Sequence, residues 1–235
     1  MAIRAVLFDL GDTVIKLHPM EGLIAERAGR ILAAHHGEAA AGHAPGMAAK
    51  VDAALAEVSR VGGPREADLP AMWEAELRAA GLDPVLAGAL AGLTGDEDIA
   101  RFACPDSSVA TLKRLHAMEL RLVIVSNTLT EPARLDAYLE SAGIRDLFAA
   151  RLYSCALGWR KPAREIYEAA LSAAGVHASE AAFVGDRMRE DVVAPASLGM
   201  RAFLTHEHRQ EAPGPEAHAV LPELGALVGH LERPN

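Results

Sequence analysis

The sequence contains few aromatic residues, few cysteines and little positive charge. Aromatic residues make up 4% of the 235-residue chain, and because they favour strands, their scarcity indicates that helix predominates. The two cysteines, Cys104 and Cys155, are too few for a disulfide framework, and we expect reduced thiols in a cytoplasmic protein. Lysine and arginine total 23 against 32 acidic residues, a balance that argues against nucleic-acid binding.

Long hydrophobic runs are also absent. No apolar stretch reaches the ~20 residues that a membrane-spanning helix requires, and no signal-peptide pattern follows the first residues. Hydrophobic residues nevertheless make up 51% of the chain, which is enough to bury a sizeable core and excludes a disordered protein. The length accommodates one large domain, or a core domain with a smaller insert.

Short apolar runs that end in turn residues alternate with helical patterns over most of the chain. The runs read as buried strands, and they cover residues 5–8, 120–125, 151–154, 181–184, 200–204 and 219–221. Alternation of strands and helices predicts a parallel sheet with helices on both faces. The predicted fold class is therefore α/β, with a doubly wound, Rossmann-like parallel sheet.

A long helical stretch interrupts this pattern directly after the first strand. Apolar residues recur at helical spacing from about residue 19 to about residue 93, as in Ile24, Ala28, Ile31 and Leu32. No strand pattern occurs there. We therefore predict an α/β core domain formed by residues 1–17 and 101–235, and an inserted α-helical cap domain formed by residues 18–100.

Polar residues follow the predicted strands where ligands of open parallel sheets bind, beyond the carboxyl ends of the strands. Asp9 ends the first strand, Ser126 and Asn127 end the second, and Asp186 ends a later one. Lys161 precedes a predicted helix. Two carboxylates, a hydroxyl and a lysine can together bind Mg²⁺ and a phosphate, and a cation relieves the repulsion between converging carboxylates.

Four motifs in chain order resemble those of the haloacid dehalogenase-like hydrolase superfamily. They are Leu7-Phe8-Asp9-Leu10-Gly11-Asp12-Thr13, Val123-Ile124-Val125-Ser126-Asn127, Arg160-Lys161-Pro162, and Val184-Gly185-Asp186 followed by Asp191. The helical insert after the first motif resembles the α-helical cap of one subgroup. Each motif alone is weak, whereas four in order at strand ends form a strong signal.

The resemblance implies a role for each motif residue. Asp9 would be the nucleophile that attacks phosphorus and forms an aspartyl-phosphate, which water then hydrolyses. Mg²⁺ would be held by the carboxylates of Asp9 and Asp186 and by the backbone carbonyl of Gly11. Asp191 would either join this metal shell, partly through water, or orient the lysine of the third motif, and we favour the second role.

The phosphoryl group would be bound by the second and third motifs. Ser126, Asn127 and Lys161 are the predicted substrate-binding residues, and Ser126 and Lys161 would donate to the phosphoryl oxygens. The chain keeps a lysine at 161 although arginine supplies most of its positive charge, and a compact point charge suits a phosphoryl oxygen. We expect Arg187 and Arg189 to form surface ion pairs with the neighbouring acids.

The first motif departs from the usual pattern of the phosphatases. The family normally has a second Asp two residues after the nucleophile as general acid and base, and this chain has Gly11 there. Acid-base help contributes about 10²–10⁴-fold in rate. Asp12 either replaces the missing acid or simply occupies a left-handed turn position, which Asp tolerates well.

The sequence therefore predicts a Mg²⁺-dependent phosphatase, a phosphoric monoester hydrolase that acts on a small phosphorylated metabolite. One alternative, based on Gly11, is a catalytically weakened binding or regulatory protein of the same fold. A 2-haloacid dehalogenase is less favoured, because those enzymes lack the metal-binding Gly-Asp pair that ends at Asp186 here. The expected partner is a small-molecule phosphate ester, not nucleic acid or a membrane, and no pattern indicates an oligomeric state.

Overall fold

A computed structural model describes residues 2–18, 22–100 and 102–232 of the chain. The predicted start of the helical stretch near residue 19 and the predicted domain boundary at residue 101 lie outside the described residues. The strands are β1 (Ala5–Phe8), β2 (Lys16–Leu17), β3 (Phe102–Ala103), β4 (Arg121–Ser126), β5 (Phe148–Tyr153), β6 (Ala181–Gly185), β7 (Arg201–Thr205) and β8 (Ala219–Leu221).

Six of these strands form one parallel sheet in the order β5-β4-β1-β6-β7-β8. The helices are α1 (Leu23–His36), α2 (Glu38–Ala41), α3 (Ala44–Val61), α4 (Leu69–Ala79), α5 (Ala87–Ala100), α6 (Asp106–Ala117), α7 (Pro132–Ser141), α8 (Ser154–Leu157), α9 (Arg164–Ala174), α10 (Ala194–Ser197) and α11 (Ala226–Leu231). Short 3₁₀ turns cover Pro84–Leu86, Arg145–Leu147 and Ala178–Glu180. The predicted doubly wound α/β sheet is confirmed.

The side chains of the central strand β1 alternate between the two faces of the sheet, and both faces are covered, so the strand is buried on both sides. Val6 and Phe8 belong to the hydrophobic cluster on one face, and Ala5 and Leu7 belong to the cluster on the other face. Helix α9 contributes Ile166 to that second cluster. Coverage of both faces explains why β1 is a continuous apolar run, as is typical of parallel sheets.

Helices α1 to α5 form an insert between β2 and β3. They have a hydrophobic cluster of their own, in which Leu32, Trp73, Leu77 and Leu90 are fully buried. Strands β2 and β3, which precede and follow the insert, pair antiparallel as a separate two-stranded sheet. The two connections between the insert and the rest of the chain therefore lie next to each other. This pair of strands is not predicted from the sequence, because strands of two residues have no measurable periodicity. Among the described helices, none combines the length and apolar character needed to cross a membrane.

The segment after β6 is a π-helix, Met188–Val193, which the sequence analysis did not predict. The buried Asp191 lies in this segment, and its backbone N–H donates to the Arg187 carbonyl at 2.8 Å. Short π-helical segments occur often at functional sites. Helix α9 ends at Ala174 and is followed by Gly175, whose φ of 62° is the left-handed conformation typical of a helix C-terminus.

Candidate functional site

The predicted site residues of the first, second and fourth motifs meet at one edge of the sheet. Strand β1 lies between β4 and β6, and Phe8 pairs with Ile124 on one side and with Val184 on the other. The strands therefore end level with one another, which brings Asp9, Ser126 and Asp186 to neighbouring positions. This edge is where ligands bind in open α/β sheets.

Lys161 reaches this edge from the loop before α9. Its side chain is 2% exposed, and its Nζ donates to Asp9 Oδ1 at 2.6 Å and to Asp191 Oδ1 at 2.7 Å. Burial disfavours the ammonium, but the charges of Asp191 and Asp9 outweigh it and raise the pKa of Lys161 above its ordinary value. A permanently charged lysine therefore contacts the predicted nucleophile.

Asp191 is fully buried and both of its carboxylate oxygens accept hydrogen bonds. Oδ1 accepts from Lys161, and Oδ2 accepts from the Arg187 backbone N–H at 3.0 Å. The close approach to β6 requires a residue without a side chain, because a Cβ at Gly185 would overlap the Asp191 carboxylate. These contacts suit the role of orienting Lys161.

Three carboxylates surround the Lys161 ammonium at this site. Asp9, Asp186 and Asp191 each offer an oxygen within 4.8 Å of the others, and all three are buried. Burial, followed by the charges of Asp9 and Asp191, raises the pKa of Asp186 to about 8. Lys161 pairs with Asp9 and Asp191, and the half-exposed Arg209 approaches Asp186 at 3.5 Å. The three oxygens still suit a divalent cation that prefers oxygen ligands.

Asn127 contacts the main chain of the lysine loop. Its Nδ2 donates to the Lys161 carbonyl at 2.9 Å, and its Oδ1 accepts from the Lys161 N–H at 2.7 Å. Asn127 also lines the site cavity. The side-chain amide thus positions Lys161, and a direct contact with substrate stays a prediction.

The turn after Asp9 contains Gly11 and Asp12 at the positions where an acid was in question. Asp12 has a φ of 55°, as its left-handed turn position predicted, and its Oδ1 accepts from the Leu17 N–H at 3.0 Å. A Cβ at Gly11 would lie 2.9 Å from Leu17 Cδ1. An apolar side chain therefore fills the space beside Gly11, and the Asp12 carboxylate holds β2 in place.

A cavity of about 270 Å³ lies at this edge of the sheet. It is lined by the predicted residues Asp9, Gly11, Asp12, Ser126, Asn127, Lys161 and Asp186. Residues that the sequence analysis did not assign to the site also line it, among them Leu55, Ser59 and Glu66 of the insert and Arg160, Arg187 and Glu190 of the sheet side. No sequence spacing relates the lining residues of the insert to those that follow the strands. Only the folded chain shows that the insert covers the site.

The insert contacts the sheet side along a seam, formed by residues 60–66 of the insert against residues 158–160 and Arg189. The Arg160 N–H donates to the Pro64 carbonyl at 3.0 Å, and the Arg65 guanidinium lies 3.5 Å from the centre of the Trp159 ring. Main-chain pairing and a cation–π contact thus hold the seam beside the lysine loop.

Arg189 closes the other end of the seam. Its guanidinium donates to the carbonyls of Arg60, Val61 and Gly62 at 2.9–3.3 Å. The expected surface ion pair with a neighbouring acid is therefore wrong for Arg189. The free carbonyls at the end of α3 offer a cluster of acceptors that a cation satisfies well.

Comparison with known proteins connects this geometry to a family. A haloacid dehalogenase-like hydrolase family model matches residues 3–199. The chain is 33% identical over 132 residues to haloacid dehalogenase-like hydrolase domain-containing protein 3 of Bos taurus and of Homo sapiens, over 54% of this chain and 51% of the relative. The chain thus spans about half the length of the curated relatives it matches.

Solved structures share the fold along nearly the whole chain. A HAD phosphatase from Thermococcus onnurineus has a TM-score of 0.67 at 20% identity over 98% of both chains. A 2-haloacid dehalogenase from Pseudomonas syringae pv. Tomato DC3000 has a TM-score of 0.68 at 24% identity, and the match covers 97% of this chain and 98% of the dehalogenase. A putative HAD-hydrolase from Bacillus subtilis bound to magnesium has a TM-score of 0.63 at 17% identity, and the match covers 99% of this chain and 100% of that hydrolase. By its sequence match over residues 3–199, the chain belongs to the haloacid dehalogenase-like hydrolase family.

Proposed function

We propose that this hydrolase is a Mg²⁺-dependent phosphatase that acts on a small phosphorylated metabolite through an aspartyl-phosphate intermediate. The observation that carries the proposal is the buried contact of 2.6 Å between Lys161 Nζ and Asp9 Oδ1, beside the acidic cluster that includes Asp186. The contact places a charged donor next to the attacking carboxylate. It is the arrangement that transfer of a phosphoryl anion requires.

The residues at the site divide the work of such a transfer. Asp9 would attack phosphorus, while Lys161 and Ser126 would donate to the phosphoryl oxygens as their charge increases. Mg²⁺, held by Asp9, Asp186 and the Gly11 carbonyl, would neutralise charge between the carboxylate and the phosphate. Asp191 would keep Lys161 in position through the 2.7 Å bond. The structural neighbour from Bacillus subtilis binds magnesium, which supports the metal.

Departure of the alcohol is the step for which this site is least equipped. Leu17 fills the space beside Gly11, and Asp12 is bonded to β2. The substitute-acid role of Asp12 stays a prediction. We expect the enzyme to hydrolyse esters with good leaving groups faster than alkyl esters, because such groups depart without protonation.

Hydrolysis of 2-haloacids is the second candidate, favoured by the apolar contact beside Gly11 and by the fold of the Pseudomonas syringae dehalogenase. Asp186 argues for the phosphatase, because its carboxylate lies buried within oxygen-ligand distance of Asp9 and Asp191, and its ion pair with the half-exposed Arg209 is long, at 3.5 Å; a divalent cation would offset the remaining negative charge.

A release screen tests the proposal. Phosphate release from sugar, nucleotide and small-acid phosphates is measured with and without Mg²⁺, and halide release from 2-haloacids is measured in parallel. We expect Mg²⁺-dependent phosphate release that Asp9→Asn lowers by more than about 10³-fold. Asp146→Asn, which changes an exposed acid, should leave the rate unchanged. Halide release without Mg²⁺, or phosphate release that survives Asp9→Asn, would overturn the proposal.

Two further expectations remain predictions. Cys104 and Cys155 are both free thiols in the structure, in line with the expected cytoplasmic location. The cavity of about 270 Å³ supports the proposed small-molecule partner, because it is smaller than the usual pockets for drug-sized ligands.

A further inference from the structure

Arg160 is a buried cation at the seam whose side chain lacks a hydrogen-bond partner. The side chain is 9% exposed and lines the site cavity. Among the described residues, its guanidinium donates no hydrogen bond, and its Nε is buried without a partner. The acid paired with it, Glu66, has its Oε1 3.9 Å from Arg160 Nη1, which is too far for a hydrogen bond.

Glu66 is already committed to other donors. Its Oε2 accepts from the Ser154 hydroxyl, and its Oε1 accepts from the Ala67 N–H at 2.9 Å. These bonds hold the carboxylate against α8 and the insert. Glu66 therefore offsets part of the charge of Arg160 but leaves its donors unsatisfied.

Arg151, a half-buried arginine of the same chain, shows the contacts of an arginine with a structural role. The Arg151 guanidinium forks onto Asp136, with bonds of 2.8 and 3.2 Å from Nε and Nη2. Arg160 is more deeply buried and has no such fork. A buried charged donor left unpaired, as the Arg160 Nε is, costs more free energy than a neutral one left unpaired. The folded chain therefore retains, beside the cavity, a guanidinium without an acceptor among the described residues.

We propose that Arg160 binds a second anionic group of the substrate, a carboxylate or a second phosphoryl group on the part that leaves. The inference rests on the proposed phosphatase function. Lys161, the next residue, contacts Asp9 and would bind the transferred phosphoryl group, whereas Arg160 lies at the seam under the insert. A planar guanidinium forks onto either anion, so the substrate class narrows to small phosphate esters that carry a second negative charge.

Three esters of equal carbon length test this subsite. 3-Phosphoglycerate, glycerol 1,3-bisphosphate and glycerol 3-phosphate differ in the distal group, which is a carboxylate, a phosphoryl group or a hydroxyl. We expect kcat/KM to favour at least one charged ester over glycerol 3-phosphate by about tenfold or more, as for a charge-assisted bond. Arg160→Gln should lower that ratio about tenfold or more, and Arg160→Lys should restore part of it.

The matched control is Arg164→Gln, which changes an exposed arginine at the start of α9 that pairs with Glu168; it should leave the ratio unchanged. A merely structural role for Arg160 would lower kcat/KM equally for all three esters and leave the ratio intact. That result, or a wild-type protein without preference for a charged ester, would overturn the inference while the phosphatase function stands.

Calorimetry separates this inference from the proposed function. The three esters are titrated into Asp9→Asn protein, in which turnover is blocked, with and without Arg160→Gln. Tighter binding of a charged ester that Arg160→Gln abolishes would support the subsite even if no ester is hydrolysed. Equal affinity for all three esters would overturn it, whatever the hydrolysis assays show.

Discussion

Individual hydrogen bonds determine where the Lys161 ammonium lies. Asp191 binds its Nζ, and Asn127 binds its backbone N–H and carbonyl. A buried ammonium is tolerated when its partners are held in place around it. The position of Lys161 beside Asp9 therefore depends on both neighbours, one acting on the side chain and one on the main chain.

Asn127→Ala tests the main-chain contact. The change removes the partners of the Lys161 N–H and carbonyl, and an unsatisfied buried group costs about 1–3 kcal/mol. We expect the free energy of unfolding, measured by urea denaturation, to fall by about that amount, and phosphate release to fall with it. Gln210→Ala, which removes an exposed amide bonded to the His206 carbonyl, should change stability by less than about 0.5 kcal/mol. An equal effect of the two changes would contradict the prediction.

The C-terminal end of helix α3 is the element that joins the insert to the sheet side. Gly62 ends the helix with a φ of 63°, and its N–H donates to the Val58 carbonyl. The remaining carbonyls accept from Arg189, so the helix end is satisfied by a residue of the site's π-helix. Movement of the insert away from the cavity would break these bonds.

Gly62→Ala tests this junction, with Gly81→Ala as its matched control. Both glycines have left-handed backbone, with φ values of 63° and 69°, and alanine there costs about 1–2 kcal/mol. A Cβ at Gly62 would overlap the Arg189 guanidinium, whereas no atom lies within 4 Å of a Cβ at Gly81. We expect Gly62→Ala alone to increase hydrogen exchange along the seam and to raise KM. Equal exchange at the seam in both variants would show that Arg189 does not hold it.

At the scale of the whole molecule, the insert and the sheet have separate hydrophobic clusters. They are joined by the β2–β3 pair and by the seam, and multidomain chains commonly depart from two-state unfolding. The two tryptophans lie in different parts, with Trp73 fully buried in the insert cluster and Trp159 on the sheet side of the seam. The division into two domains stays a prediction that these probes can test.

Trp159→Phe leaves Trp73 as the fluorescent probe of the insert. We expect its fluorescence midpoint in urea to lie at least about 0.5 M below the midpoint from far-ultraviolet circular dichroism, because the insert has the smaller hydrophobic cluster and so a lower free energy of unfolding. Trp73→Phe leaves Trp159, whose ring contacts Arg65 across the seam, as a probe of seam opening, and its midpoint should also lie below that of circular dichroism. Coincident midpoints in both variants would show that insert and sheet unfold as one unit.

The amino-acid sequence alone predicted the α/β fold, the family and a set of motif residues that the structure brings to one sheet edge. These predictions succeeded because strands and turns are determined by neighbouring residues. An apolar run that ends in Asp9 or in Gly185-Asp186 therefore predicts a strand and its end from a few residues alone. The parallel sheet then places the carboxyl ends of neighbouring strands side by side.

Contacts between distant segments were accessible only in the folded chain. Ser154 and Glu66 are 88 positions apart, and Arg189 and Val61 are 128 apart. The space beside Gly11 is filled by Leu17, which the short β2–β3 pair holds over the site. Periodicity and spacing describe neighbours along the chain, whereas these contacts depend on how the insert packs against the sheet. The residues that would catalyse the reaction are therefore readable in the motifs, and those that would select the substrate are set by packing.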